Sequence, residues 1–256
     1  MNTAVIQARM GSSRLPGKVL KKFGTSTILD SVVERVKRST AVEQVVVATT
    51  KLPIYDSISF HCKSKSINVT RGPELDVLLR FVSSLGENFQ GNVLRVTADC
   101  PFIDSTLIDL AYSKFIELEL DYIGISTGAG VANANSNKYP DGVDAEWFKY
   151  EALIRANKEA MNALDREHVT SFIWRNPNRF KIDQLAPLQN YSDISLTVDT
   201  AEDFENMTNL VRLLGDDYLE ADFPLIIETY RAGVISGQLR PPIKNSNYDV
   251  FYKHEK

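Results

Sequence analysis

The stretch "TAVIQARMGSSRLPGK", residues 3–18, runs from an apolar strand-like segment into a loop of two arginines, a lysine, two glycines, two serines and a proline. A loop leaving the C-terminal end of a buried parallel strand is the usual ligand position in an open α/β sheet. Gly11 and Gly17 let the backbone turn tightly or approach a ligand, and Ser12 and Ser13 add hydroxyl and N–H donors. Arg9, Arg14 and Lys18 bring three cations within ten residues, and arginine matches phosphate oxygens with two parallel bonds. The segment has the make-up of a polyphosphate cradle; a solvated basic loop is the plain alternative. It is not the P-loop of ATPases, because Val19 follows Lys18 where that motif needs Ser or Thr, and it lacks the glycine triplet of dinucleotide folds.

Outward from this stretch, short apolar runs alternate with segments of helical period. That rhythm predicts an α/β fold with a mostly parallel mixed sheet and helices on both faces. "EQVVVATT", "SINVTRG", "NVLRVTA" and "DYIGIS" read as strands. "STILDSVVERVKRS" repeats Ile28, Leu29, Val32, Val33 and Val36 at helical spacing, with Ser26 or Thr27 as its N-cap. "ELDVLLRFVSSLGENF" and "STLIDLAYSKFIEL" are further helices, and in the first of them Asp76 and Arg80, four apart, could pair. From residue 127 the rhythm breaks into "TGAGVANANSNKYPDG", a long surface loop. "VDAEWF" alternates, residues 149–176 predict two helices, "RFKIDQLAP" and "DISLTVDT" read as closing strands, and two helices end the fold before a polar tail at 244–256.

Composition excludes several classes. The chain has 256 residues, 43% of them hydrophobic, enough for a full core, and no run approaches a membrane span. A net charge of -4 disfavours a general nucleic-acid or anionic-membrane binder, so no such partner is expected. The N-terminus turns polar at Gln7, too early for a signal peptide, and Cys62 and Cys100 are too isolated for a disulfide framework or zinc site. A cytoplasmic location is the expectation, with both thiols serving as packing residues.

Two carboxylates stand out. Asp99 follows the apolar "NVLRV" and Asp199 follows "ISLTV", so a parallel-type sheet could project both at the rim that carries the basic loop. Mg²⁺ takes one or two carboxylates plus phosphate oxygens and water, which this pair could supply. Each could equally be a cap, since Asp199 precedes a helical pattern and Asp99 a turn.

"AVIQARMGSSRLPGKVL", "LRVTADCPFID", "YPDGVDAEWF", "DREHVT" and "LTVDTAEDFE", in that order, resemble the signatures of cytidylyltransferases that activate sugar acids as CMP conjugates. The nearest branch is the spore-coat polysaccharide type, with CMP-sialic acid and CMP-Kdo synthetases more distant. The resemblance implies a Rossmann-like, GT-A-like nucleotidyltransferase domain over 1–243, with 127–180 as an inserted sugar-binding and dimerisation segment and a homodimer as the assembly. It implies Mg²⁺ on Asp99 and Asp199, and transfer of CMP from CTP to a sugar-acid hydroxyl with release of pyrophosphate. Arg9, Arg14 and Lys18 would then bind the triphosphate, with Gly11, Ser12, Ser13, the Ala8 backbone, Arg71 and Thr97 around the nucleotide. For Arg71 a surface salt bridge is the competing reading. The chain departs from the sialate synthetases, which carry lysine at Arg14 and asparagine at Val19, and this weakens any case for sialic acid.

Asp141, Asp144 and Glu146 surround a glycine turn and could meet sugar hydroxyls or amino groups. Arg166, and less directly His168, could meet a substrate carboxylate, although His168 also suits a capping or core-edge role. A metal-dependent glycosyltransferase is the main rival, but no closely spaced Asp-x-Asp ends a strand. A non-catalytic nucleotide-binding protein is the second rival, and it would have no need of both aspartates.

Overall fold

The computed structural model describes residues 1–127 and 136–242. Numbered along the chain, its strands are β1 (Thr3–Gln7), β2 (Lys22–Phe23), β3 (Ser26–Thr27), β4 (Gln44–Thr50), β5 (Asn68–Gly72), β6 (Asn92–Thr97), β7 (Tyr122–Ile125), β8 (Ala145–Lys149) and β9 (Ile182–Leu185). Among the described residues, seven of them form one sheet in the order β5-β4-β1-β6-β8-β7-β9, and β2 with β3 makes a small ribbon. All neighbours in the large sheet are parallel except β8, which runs antiparallel between β6 and β7. The chain builds outward from β1 to β5 and then returns to β6 on the other side of β1. That reversal makes the loops after β1 and β6 neighbours at the carboxyl edge, the position where such sheets bind ligands.

The two-residue strand period divides the core. Ala4 and Ile6 pack with α1 (Ile28–Lys37), α2 (Asp56–Ser64), α4 (Ser105–Glu117), α8 (Ala201–Leu214) and α9 (Phe223–Ile235). Val5 faces the other way, toward α3 (Val77–Leu85), α5 (Tyr150–Glu159) and α7 (Ser171–Trp174), with α6 (Ala163–His168) packed on α3. Helix α1 starts as its sequence predicts: Thr27 accepts from the Asp30 N–H while the Asp30 carboxylate accepts from the Thr27 N–H. Arg35 binds this helix to distant segments, donating to the carbonyls of Ile103 (2.7 Å), Tyr218 and Leu219 (3.1 Å each) and Ala221 (2.9 Å). Burial lowers its pKa to about 10, with Asp104 opposing the shift, so it remains charged at neutral pH. Cys62 and Cys100 are both buried, and burial pushes both thiols up, Cys62 to about 11.

The structure differs from the sequence reading in three places. Residues 149–176 form three helices, because Val169 (φ 64°) breaks the run in a γ-turn, the Thr170 N–H reaching the His168 carbonyl at 2.6 Å. Such a φ is strained for a β-branched residue. "DISLTVDT" forms no ladder strand. Ile194, Leu196 and Val198 do alternate into the core, but the Leu196 and Val198 N–H groups go to the carbonyls of Asp141 and Asp99 instead. Helix α2 had no counterpart in the sequence reading. Residues 128–135 of the expected surface loop, and the expected tail at 244–256, lie outside the described residues.

Candidate active site

Gly17 adopts a left-handed conformation (φ 70°), and Lys18 then opens a short 3₁₀ turn, Lys18–Leu20. Leu15 and Val19 anchor this turn in the core, which sends the Lys18 side chain beneath the loop. Its Nζ donates to Asp99 Oδ2 (2.9 Å), Asp199 Oδ1 (2.9 Å) and the Val198 carbonyl (2.8 Å). Arg14 Nη2 stands 3.2 Å from the same Asp199 oxygen. The two aspartates are also joined through the backbone, the Val198 N–H reaching the Asp99 carbonyl at 3.0 Å. Neither is a helix cap. Thr200 caps α8 in a capping box with Asp203, and Asp104 caps α4. Asp203 even accepts the Asp199 N–H at 3.1 Å, so the Asp199 carboxylate is left to face the cradle.

Burial pulls the Lys18 pKa down, but the Asp99 and Asp199 charges outweigh it and the net shift is upward; the lysine stays protonated. Burial pushes Asp99 up, and the Lys18 charge with hydrogen bonds from Thr97 and Lys18 outweighs that, holding its carboxyl below the usual range. Asp99 is therefore ionised at neutral pH, and Lys18 takes one oxygen of each carboxylate, with Cys100 Sγ donating to the second oxygen of Asp99 at 3.7 Å. Among the described residues no group of three or more His, Cys, Asp or Glu could hold a metal. Two oxygen donors still fit a hard divalent ion that takes its other ligands from phosphate and water.

The loop itself satisfies only part of its backbone internally. The Met10 carbonyl accepts the Ser12 (3.0 Å) and Gly17 (3.1 Å) N–H groups, and the Ser12 hydroxyl accepts the Leu15 N–H at 3.3 Å. Among the described residues, the N–H groups of Gly11, Ser13 and Arg14 have no partner and the Arg9 side chain has no ion pair; all four residues are exposed. The Ala8 N–H, by contrast, extends the sheet by donating to the Ala48 carbonyl at 3.2 Å, so only its carbonyl remains for a ligand. Thr97 ends β6, its hydroxyl 3.2 Å from Cys100 Sγ. Arg71 lies on the same edge but is occupied, donating to the Thr50 (2.8 Å) and Leu52 (3.0 Å) carbonyls and pairing with Asp56 at 2.7 Å. The salt-bridge reading of Arg71 is the one the geometry shows.

On the β8 side, Asp144 accepts the Gly142 N–H at 2.8 Å and a hydrogen bond from the Thr127 hydroxyl. A Cβ on Gly142 (φ 103°) would stand 2.5 Å from the Leu196 backbone, so glycine is needed for this close approach. Burial, then the neighbouring Asp141 charge and that of Asp99, raises the Asp144 pKa to about 7. Glu146 and Arg166 are corrections to the sequence reading. Glu146 is already occupied, accepting from Arg95, Tyr122 Oη (2.6 Å) and Thr170 Oγ1 (2.8 Å). Arg166 grips Asp76 through Nε (3.0 Å) and Nη2 (2.6 Å) and donates to the Asn157 carbonyl and side chain. The pairing of Asp76 with Arg80 is therefore also corrected: Arg80 Nη1 instead donates to the Pro73 (2.7 Å) and Glu74 (3.3 Å) carbonyls. His168 is held below its usual pKa by burial and then by the Arg95 charge.

Sequence reasoning passed over Tyr55, Glu74 and Arg95. A charge inside the apolar strand "NVLRVT" was the one available signal for Arg95. Tyr55 and Glu74 come together from separate loops and leave no periodic trace.

A family model for cytidylyltransferases matches residues 3–236. The protein MJ1063 of Methanocaldococcus jannaschii is 34% identical over 97% of this chain and 95% of its own length. The spore coat polysaccharide biosynthesis protein SpsF of Bacillus subtilis is 32% identical over 83% of this chain and 87% of its own. A 3-deoxy-manno-octulosonate cytidylyltransferase of Syntrophotalea carbinolica matches 45% of each chain at 31% identity. Among solved structures, a cytidylyltransferase from Leptospira borgpetersenii superposes with a TM-score of 0.83 at 29% identity, covering 95% of this chain and 99% of that one. With a basic loop at the sheet reversal, two aspartates beneath it and a family match along nearly the whole chain, the protein belongs to the cytidylyltransferases.

Proposed function

We propose that this cytidylyltransferase transfers CMP from CTP to the hydroxyl of a sugar acid, of the nonulosonate or Kdo-like kind, for surface polysaccharide assembly. The acceptor oxygen bonds to the α-phosphorus, the bond from that phosphorus to the bridging oxygen breaks, and pyrophosphate leaves. The observation that carries this reading is the Lys18 ammonium bridging Asp99 and Asp199 beneath a loop with two arginines and three N–H groups that have no partner among the described residues.

Little covalent chemistry is asked of the protein, so positioning and charge neutralisation do the work. Arg9, Arg14 and the unpaired N–H groups meet the triphosphate and stabilise charge on the departing pyrophosphate. Lys18, protonated throughout, adds a fixed positive charge and holds the two aspartates in register. Asp99 and Asp199 would hold Mg²⁺, which supplies polarisation of the α-phosphate and a lowered pKa for the attacking hydroxyl. Asp141 and Asp144 line the acceptor side, where a carboxyl that titrates near neutrality can hold or release a proton beside the incoming hydroxyl. A homodimer through residues 127–180, testable by light scattering, and a place in the cytoplasm beside the CTP pool complete the proposal; among the described residues no helix is long and apolar enough to cross a membrane.

The test is Asp99→Asn. Turnover is lost while the variant retains thermal stabilisation by CTP, because the cradle lies on the β1 loop. Full activity in that variant removes the metal assignment, and a wild-type melting shift with diphosphate sugars but not CTP moves the reading to a glycosyltransferase.

A further inference from the structure

Tyr55 and Glu74 are coupled to the cradle yet have no part in the chemistry above. A Cβ on Gly11 would stand 2.7 Å from Tyr55 Oη, so the phenol abuts the backbone of the phosphate loop. That same hydroxyl donates to Glu74 Oε1 at 2.7 Å, while among the described residues Glu74 Oε2 has no partner and the residue is exposed. The turn carrying Glu74 is fixed from below by Arg80, through the Pro73 and Glu74 carbonyls. The facing loop is fixed by Arg71, through the Thr50 and Leu52 carbonyls. These two braced loops expose Leu52, Ile54 and Leu75, the last at 86%. Exposed apolar side chains on the two loops that bring an oriented carboxylate together with Tyr55 suit a flat ring with a polar edge. Asp99, Asp141 and Asp144 occupy the β6 and β8 side of the rim, which leaves the ends of β4 and β5 for the nucleoside.

We propose that Glu74, oriented by Tyr55, reads the pyrimidine of the bound nucleotide. Its free oxygen accepts from the exocyclic amine of cytosine and repels the carbonyl that uracil carries at that position. This rests on the reading of the site as a nucleoside triphosphate cradle, and it adds the residue that selects cytosine.

Calorimetric titration of the full chain with CTP and UTP in Mg²⁺ tests it without any knowledge of the acceptor. In Glu74→Gln the amide oxygen can still accept from Tyr55, so the loop keeps its brace while the charge facing the base is gone. The ratio of UTP to CTP dissociation constants is expected to fall by about tenfold or more, the loss of one charge-assisted hydrogen bond. Glu74→Ala is expected to lose the preference as well, by weakening CTP while sparing UTP. An unchanged ratio in Glu74→Gln, or equal weakening of both nucleotides in Glu74→Ala, overturns the inference and reduces Glu74 to a brace for Tyr55; the cytidylyltransferase reading then stands. A wild-type chain with no preference for CTP overturns both.

Discussion

Arg35 and Lys18 each bury a positive charge, with side chains 3% and 7% exposed, yet their partners differ in kind. Arg35 spends its donors on four main-chain carbonyls from separated segments, none of which can turn away without moving the backbone. Lys18 holds one carbonyl and two carboxylates, and those carboxylates are 31% and 35% exposed. Carboxylates can rotate, share their second oxygen and accept another cation. The first arrangement fastens the fold; the second keeps charge available at the edge of the sheet. Burial of a cation therefore does not mark a functional site, whereas the exchangeability and solvent access of its partners do.

The largest effects should come from removing each cation in turn. Lys18→Met is expected to lower turnover by about 10²- to 10³-fold, the scale seen when one preorganised charge contact is deleted. Arg35→Met leaves the buried carbonyls of Ile103, Tyr218 and Ala221 without a donor and Asp104 without its charge partner, while the Leu219 carbonyl keeps Arg38, and should cost ~3 kcal/mol of stability. Its turnover per folded molecule should match the wild type. Urea melts and steady-state rates on both variants decide the matter: a catalytic loss in folded Arg35→Met, or a stability loss of the same size in Lys18→Met, would break the division.

A second test sets two acids of the rim against each other. The folded-state pKa of Asp99 is depressed, so its contribution to stability is present above the ordinary value of 3.8 and is lost as pH falls through the folded value. Asp144 has the opposite sign. Burial and the Asp141 charge raise it from 3.8 to about 7, so the folded state binds its proton more tightly and stability declines as pH rises through that window. Asp144→Asn should therefore flatten the decline in melting temperature across the window and leave the acid limb, which Asp99 helps to set, unchanged. An undiminished slope in the variant would assign the decline to other groups.

The mostly parallel sheet and its covering helices were legible because strand period and helix period leave direct traces in the sequence, whereas the strand order and its reversal at β1 leave none. Val5, Ile6 and their neighbours must alternate between two covered faces, and Thr27 must precede the apolar stripe of α1. The basic loop and the positions of Asp99 and Asp199 were legible for the same reason, since each follows an apolar run. The arrangement of Asp141, Asp144 and Glu146 was not. Asp141 and Asp144 are presented by a turn that packs on an extended segment 50 or more residues away, and Glu146 faces the opposite side of the sheet from its neighbour Ala145. Proximity to Gly142 in sequence grouped three acids, of which Glu146 is taken up by Arg95, Tyr122 and Thr170, partners from distant segments. Arg166 was misread for a related reason: its partner Asp76 is 90 residues distant and carries no local signal.

Arg166 provides the smallest and most discriminating test of the comparison, because its guanidinium has the two-pronged geometry that suits a substrate carboxylate and has already used it. Nε and Nη2 hold the two oxygens of Asp76, while Nη1 and Nη2 hold Asn157, joining α6 to the start of α3. By the logic that separates Arg35 from Lys18, Arg166 is a fastener with one exchangeable partner, and that partner already caps α3 through the Leu79 N–H. Arg166→Gln is then expected to cost about 1 kcal/mol, the scale of a partly exposed ion pair, with the acceptor KM unchanged. A double-mutant cycle with Asp76→Asn should recover most of that energy as coupling between the two sites. If the acceptor KM instead rises by tenfold or more while stability holds, Asp76 releases the guanidinium during turnover and Arg166 joins Lys18 among the charges the site exchanges.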